Sequence, residues 1–381
     1  MNQQKICIIG DGLAGLTTAA IMSKESINID LYVGNKKKIK FSDTRTTAIS
    51  ESNYNYITNE LNLNKSNFFW PCKKINLFFE DKKEIINFLN FSDKKKNLMH
   101  IFRNKDLKKK LEKIITIKKN VKIIKKNIES FNSEDGYIIL GKKKIFYDLI
   151  ILSTGGLSKL YSKIEAGRSI EKNYEEIAIT SIIKHKASVQ NASQFFLKEG
   201  PFAVLPFHKN YFSIVWSVNR DFFRTHEKKL KVILIQKLKL LLKTKNIKVV
   251  ENIKSFSINL NLKTKYFKKN VVILGDGLHN VHPLAGQGFN LVLRDIKKIS
   301  DLMSRTTRLG LLFKNSFLLR DFYNARKPEN NLFGLGIDIT NLFFKDNKYF
   351  NALKKKILIN INNFNFVKKI SRSVADKGFL F

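Results

Sequence analysis

A glycine-rich turn near the start of the chain restricts the fold more than any other feature. Lys5–Ile9 (KICII) is a short continuous apolar run, the pattern of a strand buried on both faces. It leads into Gly10-Asp11-Gly12-Leu13-Ala14-Gly15, after which Leu16–Ser23 has helical texture and Ile27–Val33 reads as a second strand. Strand, G-x-G-x-x-G and helix in that order form the setting in which a dinucleotide pyrophosphate is held. Gly10 permits the tight turn, Gly12 lets a pyrophosphate approach the backbone, and Gly15 lets helix and strand pack closely. Leu13 and Ala14 open the helix, whose N-terminus attracts phosphate. The competing reading is a glycine turn with no ligand. An acidic residue ending the second strand would hold a ribose hydroxyl, but Val33, Gly34 and Asn35 stand there and Asp30 comes too early. Asn35 is the candidate substitute.

Further along, Ile75–Glu80 and Glu84–Leu89 read as a hairpin. Arg103–Ile117 is a helix with Leu107, Leu111, Ile114 and Ile115 on one face. Val121–Ile124 is a strand, Gly136–Leu140 and Ile145–Tyr147 a hairpin, and Leu149–Leu152 a buried strand ended by Ser153-Thr154-Gly155-Gly156. From Glu176 to about Ser217 the texture is β. His226–Lys243 is a Leu/Lys amphipathic helix, Phe256–Leu262 alternates, and Val271–Leu274 is another buried strand. After Gly288 nearly everything reads as helix. No Pro/Gly/Ser linker separates sequential domains, and the nucleotide-type elements recur at the start, near 150 and near 275. The expected fold is therefore α/β with interleaved parts. Residues 1–72, 98–170 and 268–330 would form a Rossmann-like domain, residues 73–97 and 171–267 a β-rich substrate domain, and residues 331–381 a helical C-terminal segment.

A second motif, Gly275 to Asn290 (GDGLHNVHPLAGQGFN), also follows a buried strand. An acidic residue there can hydrogen-bond a polyol chain. The P-x-x-G-x-G segment opening a helix aims backbone N–H groups and a positive dipole end at an anion. His279 and His282 have a metal-like spacing, yet they sit among glycines with no carboxylate or thiol nearby in sequence, so no metal site is expected.

Composition narrows the class. With 43% hydrophobic residues among 381, the chain can bury a core, which excludes disorder as its main state. No uncharged apolar run reaches membrane-spanning length, no secretory leader is evident, and Cys7 and Cys72 read as reduced thiols of a cytoplasmic protein. Lys and Arg number 70 against 32 Asp and Glu, a net charge of +38. The lysine runs are scattered and Asn, Ile and Phe are abundant with them. This points first to compositional drift and solvated faces, and second to attraction towards anionic surfaces. A nucleic-acid binder is argued against by the glycine motifs.

The two glycine motifs together resemble the class A flavoprotein monooxygenases, and more narrowly the ubiquinone-biosynthesis hydroxylase family. Asp43 to Ser50 (DTRTTAIS) is similar to that family's D-x-R-x-x-A-(I/L)-S segment. Arg103 with Leu107 and Leu111 is similar to its R-x-x-x-L-x-x-x-L helix, and Gly200-Pro201, Leu205-Pro206 and Val215-Trp216-Ser217 match marks of its β-sheet domain. Leu293-Arg294-Asp295 and Tyr323 with Arg326 continue the pattern, so the likeness covers about residues 5 to 330.

The resemblance implies bound FAD, with NAD(P)H as reductant and O2 as co-substrate, hydroxylating the aromatic ring of a polyprenyl phenol through a flavin hydroperoxide. Carried over, Gly10, Gly12, Leu13, Ala14 and Gly15 would hold the pyrophosphate, Arg45 and Arg103 would contact the cofactor, and Asp276 would bind the ribitol. Pro283, Gly286, Gln287, Gly288, Phe289 and Asn290 would line the flavin ring. In place of the family's A-D-G-x-x-S segment this chain has Ser153-Thr154-Gly155-Gly156-Leu157-Ser158, without the Asp that the family ties to cofactor and NAD(P)H handling. Two rivals stand beside this reading. One is a non-catalytic FAD-binding subunit of a ubiquinone-biosynthesis complex, and the other is an FAD hydroxylase of a different aromatic substrate. His185 and His208 are weak candidates for phenol deprotonation, with strand-end histidines the plainer account. Phe195, Phe196, Phe202, Phe207 and Phe212 would line an isoprenoid pocket or fill sheet core. Phe350, Leu353, Ile357, Ile361, Phe364 and Val367 recur at helical spacing beside Lys354–Lys356, Lys368 and Lys369. They form either a basic helix lying peripherally on the inner membrane face or a helix packed on the body. Other ubiquinone-biosynthesis proteins are the expected protein partners.

Overall fold

The computed structural model describes residues 3–34, 43, 45–64, 66–82, 84–156, 158–164, 169–186, 189–315, 317–344, 357, 358, 360 and 365–378. Its centre is a six-stranded sheet in the order Phe267–Lys268, Val271–Ile273, Leu149–Leu152, Lys5–Ile9, Asn28–Val33, Val121–Lys125. All neighbours are parallel except the first pair. Continuous apolar runs suit this position. Leu149–Leu152 is buried along its whole length, and Lys5–Ile9 in all but its first residue, because the sheet is covered by helices that contact one another and by a small antiparallel sheet of Ser130–Asn132, Tyr137–Leu140 and Lys143–Phe146, whose Phe131 and Ile138 join the same core. Helix Leu13–Met22 returns the chain between the first two strands, and Asn104–Thr116 packs on it through Leu107, Leu111 and Ile115.

The second layer is a nine-stranded sheet. Its main path runs His279–Asn280, Lys254–Lys263, Ser169–His185, Tyr211–Asn219, Gly200–His208, Ala192–Leu197, Lys74–Asp81, Glu84–Ser92, with Ile247–Val249 paired to the side. The hairpin of residues 74–92 enters this sheet through a parallel pairing of Lys74–Asp81 with Ala192–Leu197. Alternation sorts the phenylalanines. Phe195, Phe202 and Phe212 join Trp216 and the helix Leu230–Leu242 in one core, whereas Phe196 faces the other way. A three-stranded sheet of Thr46–Ser50, Met99–Arg103 and Trp70–Cys72 lies between the two layers.

Three helices close the structure: Gly288–Arg308, Leu318–Phe344 and Asn365–Lys377. The long run from 288 ends at residue 308, and Leu318–Phe344 carries Pro328 in its interior. Ile357 is exposed and Leu358 buried, while Phe350, Leu353, Ile361 and Phe364 lie outside the described residues, as does the side chain of Val367. The described helix Asn365–Lys377 rests on the body. Ser52 N–H donates to Asp376 Oδ1 (2.8 Å), Ser50 Oγ to Asp376 O (2.9 Å), and Arg372 pairs with Asp93. No helix among the described residues is long and apolar enough to cross a membrane.

A buried charge network binds these helices to the loop after the last parallel strand. Asp295, with no solvent exposure, accepts from His279 Nε2 (2.6 Å) and Arg326 Nε (2.6 Å), and from Asn330 Nδ2 (3.2 Å). Arg326 also pairs with Glu329, whose other oxygen accepts from Arg294 Nη1 (3.3 Å). Arg294 in turn donates to Ala375 O (3.0 Å) on the last helix. Burial alone would raise the Asp295 carboxyl, but the charges and hydrogen bonds of Arg326 and His279 outweigh it and hold the group below the ordinary carboxylate range. Such a group stabilises the fold above its unfolded pKa of about 4, and that contribution drains away as pH falls towards its lowered native value. Asp295→Ala, which leaves Arg326 only Glu329 and Asn330 and takes the partner from His279, should cost about 3 kcal/mol in urea unfolding at neutral pH. The gap to wild type should narrow below about pH 4, where the unfolded chain's carboxyl takes up a proton while the native one still resists it.

Candidate functional site

Two helix starts line one cleft of about 2580 Å³. The first follows Gly10. Its φ of +126° suits glycine, and a Cβ there would collide with the Ser153 carbonyl. A Cβ on Gly15 would likewise collide with Gly10 O, so both glycines are dictated by strand–helix packing. Gly12 differs. A Cβ there would meet nothing within 4 Å, and the residue opens onto the cleft with Leu13 and Ala14. Gly12 caps the helix Leu13–Met22 without a side-chain hydrogen bond, and the first turn holds no acid. The helix Gly288–Arg308 repeats this arrangement, with no side-chain cap on Gln287 and no first-turn acid. Two positive dipole ends are thus left for a ligand.

Between them stands Asp276, exposed in the cleft on the turn after Val271–Ile273. The turn packs against the first helix, since a Cβ on Gly275 would come within 2.7 Å of Ala14 Cβ. Tyr161 fills the space under Gly277 and accepts the Thr154 N–H on its phenol oxygen (3.1 Å). Burial pushes that phenol up to about 12, so it is neutral at physiological pH. In the segment where the resemblance leads one to expect an acid, at Thr154 or Gly155, this chain has a threonine fastened to a tyrosine.

Pro283, Gly286, Gln287, Gly288 and Phe289 also line the cleft, Phe289 packing edge-on to Phe102. Asn290 has an additional duty. Its oxygen accepts from Ser50 N–H (2.9 Å) and Asn53 Nδ2 (2.8 Å), and its Nδ2 donates to Ala48 O (3.1 Å) and Gly286 O (3.2 Å). The amide is committed inside the protein and holds the loop against the strand Thr46–Ser50. Arg45 and Arg103 reach the cleft, but each already grips a carboxylate. Arg45 takes both oxygens of Asp43 (2.9 and 2.8 Å), and Arg103 takes both oxygens of Asp106 (2.7 and 3.2 Å). Burial would raise the Asp43 carboxyl, but Arg45 holds it below its ordinary value.

The remaining candidates have different outcomes. Asn35 lies outside the described residues, and the described neighbour at that end is Gly34, facing Asn127 Oδ1 at 2.8 Å from its ideal Cβ, with Glu129 on the same cleft wall. Asp30 is engaged mid-strand with Lys5 Nζ (2.8 Å) and Tyr147 OH (2.7 Å). His185 and His208 are not cleft residues. The first packs on Phe212 behind the sheet and the second sits near Trp70 and Tyr211 at a strand end. His279 and His282 do have carboxylate partners, Asp295 and Glu176, brought from 16 and 106 residues away. Among the described residues no group of three or more His, Cys, Asp or Glu could hold a metal ion.

Of the phenylalanines offered for an isoprenoid pocket, Phe196 lines an apolar arm of the cleft while Phe195, Phe202 and Phe212 fill sheet core, and the other walls of that arm were not foreseen. The arm lies between Leu77, Phe196 and Ile258 of the large sheet and Phe333 and Ile337 of the helix Leu318–Phe344, with Val374 of the last helix beside them. The amphipathic period of residues 318–344 was the available signal, but a helix face does not say which wall it forms.

The arrangement fits FAD. It offers an open glycine at one helix start, a second uncapped helix start, an exposed carboxylate between them and the Gln287 amide. The volume is more than twice the ~300–1,000 Å³ of an ordinary small-molecule site, enough for a dinucleotide and a second ligand.

Comparison with known proteins agrees. Residues 158–307 match the FAD binding domain family. A mitochondrial ubiquinone biosynthesis monooxygenase of Dictyostelium discoideum is 31% identical over 122 residues, 32% of this chain and 25% of that one. Ubiquinone hydroxylase UbiL of Rhodospirillum rubrum is 29% identical over 164 residues, 41% of this chain and 37% of that one. The chain therefore spans well under half the length of these two relatives. In fold it is similar to p-nitrophenol 4-monooxygenase from Pseudomonas putida, with a TM-score of 0.79 at 14% identity, covering 97% of this chain and 96% of that one. Residues 158–307 thus carry the FAD binding domain match, and the chain as a whole shares the fold of an FAD-type aromatic monooxygenase structure.

Proposed function

We propose that this protein hydroxylates the aromatic ring of a polyprenylated ubiquinone precursor, using FAD, NAD(P)H and O2. The observation that carries the reading is the continuity of the cleft, from the dinucleotide turn at Gly10–Ala14 to the apolar arm at Phe196, Ile258, Phe333 and Ile337. The ubiquinone pathway is named by its relatives in Dictyostelium and Rhodospirillum.

Bound FAD would supply the chemistry of passing reducing equivalents to O2 and placing one oxygen atom on the ring. The chain's own part is to bind, orient and keep dry. The backbone at Gly12 and the start of Leu13–Met22 would take the pyrophosphate. Asp276, exposed beside them, would accept hydrogen bonds from the ribityl hydroxyls. The start of Gly288–Arg308 would stabilise negative charge on the ring system. The apolar arm would seat the prenyl chain and exclude water from the reacting centre. No histidine lines the cleft among the described residues, so the side chains there orient the phenol.

Gly12→Asp would place a carboxylate at the phosphate-facing helix start. It should weaken FAD binding about tenfold or more, read by titrating the apoprotein and following flavin fluorescence. The reaction itself is tested by expressing the chain in bacterial strains that each lack one ubiquinone ring hydroxylase and assaying quinones by lipid mass spectrometry. Restored quinone in one strain is the expected result and names the ring position. The Thr154–Tyr161 contact at the place of the related acid favours a second reading, a non-catalytic FAD-binding subunit. That reading expects FAD-loaded protein, no NAD(P)H oxidation and no rescue in any strain.

A further inference from the structure

The loop that carries the second glycine motif is fastened on two sides by imidazole–carboxylate pairs. His279 is bound to Asp295 on the helix Gly288–Arg308, within the cofactor layer. His282, three residues on, is bound to Glu176 on the strand Ser169–His185 of the large sheet, Nε2 to Oε2 at 2.8 Å. We propose that His282 and Glu176 are positioning residues for the cofactor: they hold the Pro283–Gly288 loop from the side of the large sheet. The proposal rests on the FAD reading above and assigns these two side chains a role within it.

Three observations carry it. The first is the ring's orientation. Leu284 N–H donates to His282 Nδ1 (3.2 Å), which leaves the ring proton on Nε2 and aims it at Glu176. The imidazole therefore sets the backbone at Leu284, inside the loop, while its far side is anchored on another element. The second is what brings Glu176 there. The pairing of Ser169–His185 with Lys254–Lys263 slips register between Asn173 and Glu176, and Glu175 adopts a φ of +54°. Such a bulge re-aims a side chain, and here the re-aimed side chain is the partner of His282. The third is burial. His282 is wholly buried and Glu176 nearly so, and the second Glu176 oxygen accepts from Asn341 Nδ2 (3.4 Å). A buried ionisable pair adds little stability beyond what apolar residues of the same volume would give, but it fixes geometry. It acts as the partners behind a ligand-binding histidine do, orienting a ring through its other nitrogen.

The test separates the two ends of the imidazole. His282→Asn keeps an acceptor near Nδ1 for Leu284 and loses Glu176, whereas His282→Gln keeps a donor near Nε2 for Glu176. Glu176→Gln keeps an acceptor and Glu176→Leu removes it. Each full-length apoprotein is titrated with FAD, the flavin visible spectrum is recorded, and apoprotein unfolding is measured on the same samples. Glu176→Leu and His282→Asn are expected to bind FAD about tenfold or more weakly and to shift the visible bands. Glu176→Gln and His282→Gln should stay closer to wild type, with apoprotein unfolding little changed across the set. Unchanged affinity and spectrum in Glu176→Leu would overturn the proposal, as would an affinity loss that tracks apoprotein unfolding. If Glu176→Leu does not fold, the two His282 variants decide, and equal affinity in both overturns it. Wild-type protein that takes up no FAD overturns the cofactor reading itself, and this role falls with it.

Discussion

A carboxylate sealed from water needs a cation and further hydrogen-bond donors, and at Asp295 they come from two distant pieces of chain. Arg326 arrives from the helix Leu318–Phe344 and His279 from the loop after Val271–Ile273. Either partner missing would leave a buried charge short by several kcal/mol. The loop, the helix that bears Asp295 and the long helix behind it are therefore placed together or not at all. Through Glu329 and Arg294 the same network reaches Ala375, so the last helix is placed by it too. Every wall of the cleft on this side inherits its position from that one pairing.

The charges around the cofactor end follow a related logic. Arg45, Arg103 and Lys108 each meet an acid close by: Asp43, Asp106 and Asp11. The large positive excess of the chain is thus locally balanced where a dinucleotide would lie. Attraction for the negative charge of such a ligand would come instead from the two uncapped helix starts, the first towards phosphate and the second towards the ring system, with partial charges fixed by backbone geometry. That is a directional kind of attraction, tied to one orientation of the ligand.

Much of this was legible in the amino-acid sequence, and the limits have physical causes. Lys5–Ile9 and Leu149–Leu152 announce themselves because strands buried on both faces need unbroken apolar runs. Gly10 and Gly15 are readable because backbone contact permits no Cβ. What could not be read is whatever depends on sequence-distant partners. His282 appears isolated among glycines until a bulge delivers Glu176 from 106 residues upstream. Asn290 reads as a ligand-facing amide, yet its hydrogen bonds go to Ala48, Ser50, Asn53 and Gly286. His185 and His208 have the right chemistry for acid–base work, but the facing of each strand position puts them outside the cleft. Of the apolar arm only Phe196 was offered, because its other walls are a helix face and a sheet face that carry no motif of their own.

The weaving of the chain has a consequence for how such a protein is made. The turn at Gly10–Gly15 leaves the ribosome early, yet the opposite wall at Pro283–Asn290 follows some 270 residues later and Ser371–Lys377 later still. At ~5–20 residues per second, the first dinucleotide turn waits well over ten seconds for its partner wall. During that wait Lys5–Ile9 has Asn28–Val33 on one side, but Leu149–Leu152 and Val271–Ile273 are still to come. A nascent chain in this state exposes an open parallel edge and a half-built nucleotide cradle. On the FAD reading, the cradle is complete only once residues 283–290 and 371–377 have been made, so the flavin would be taken up late.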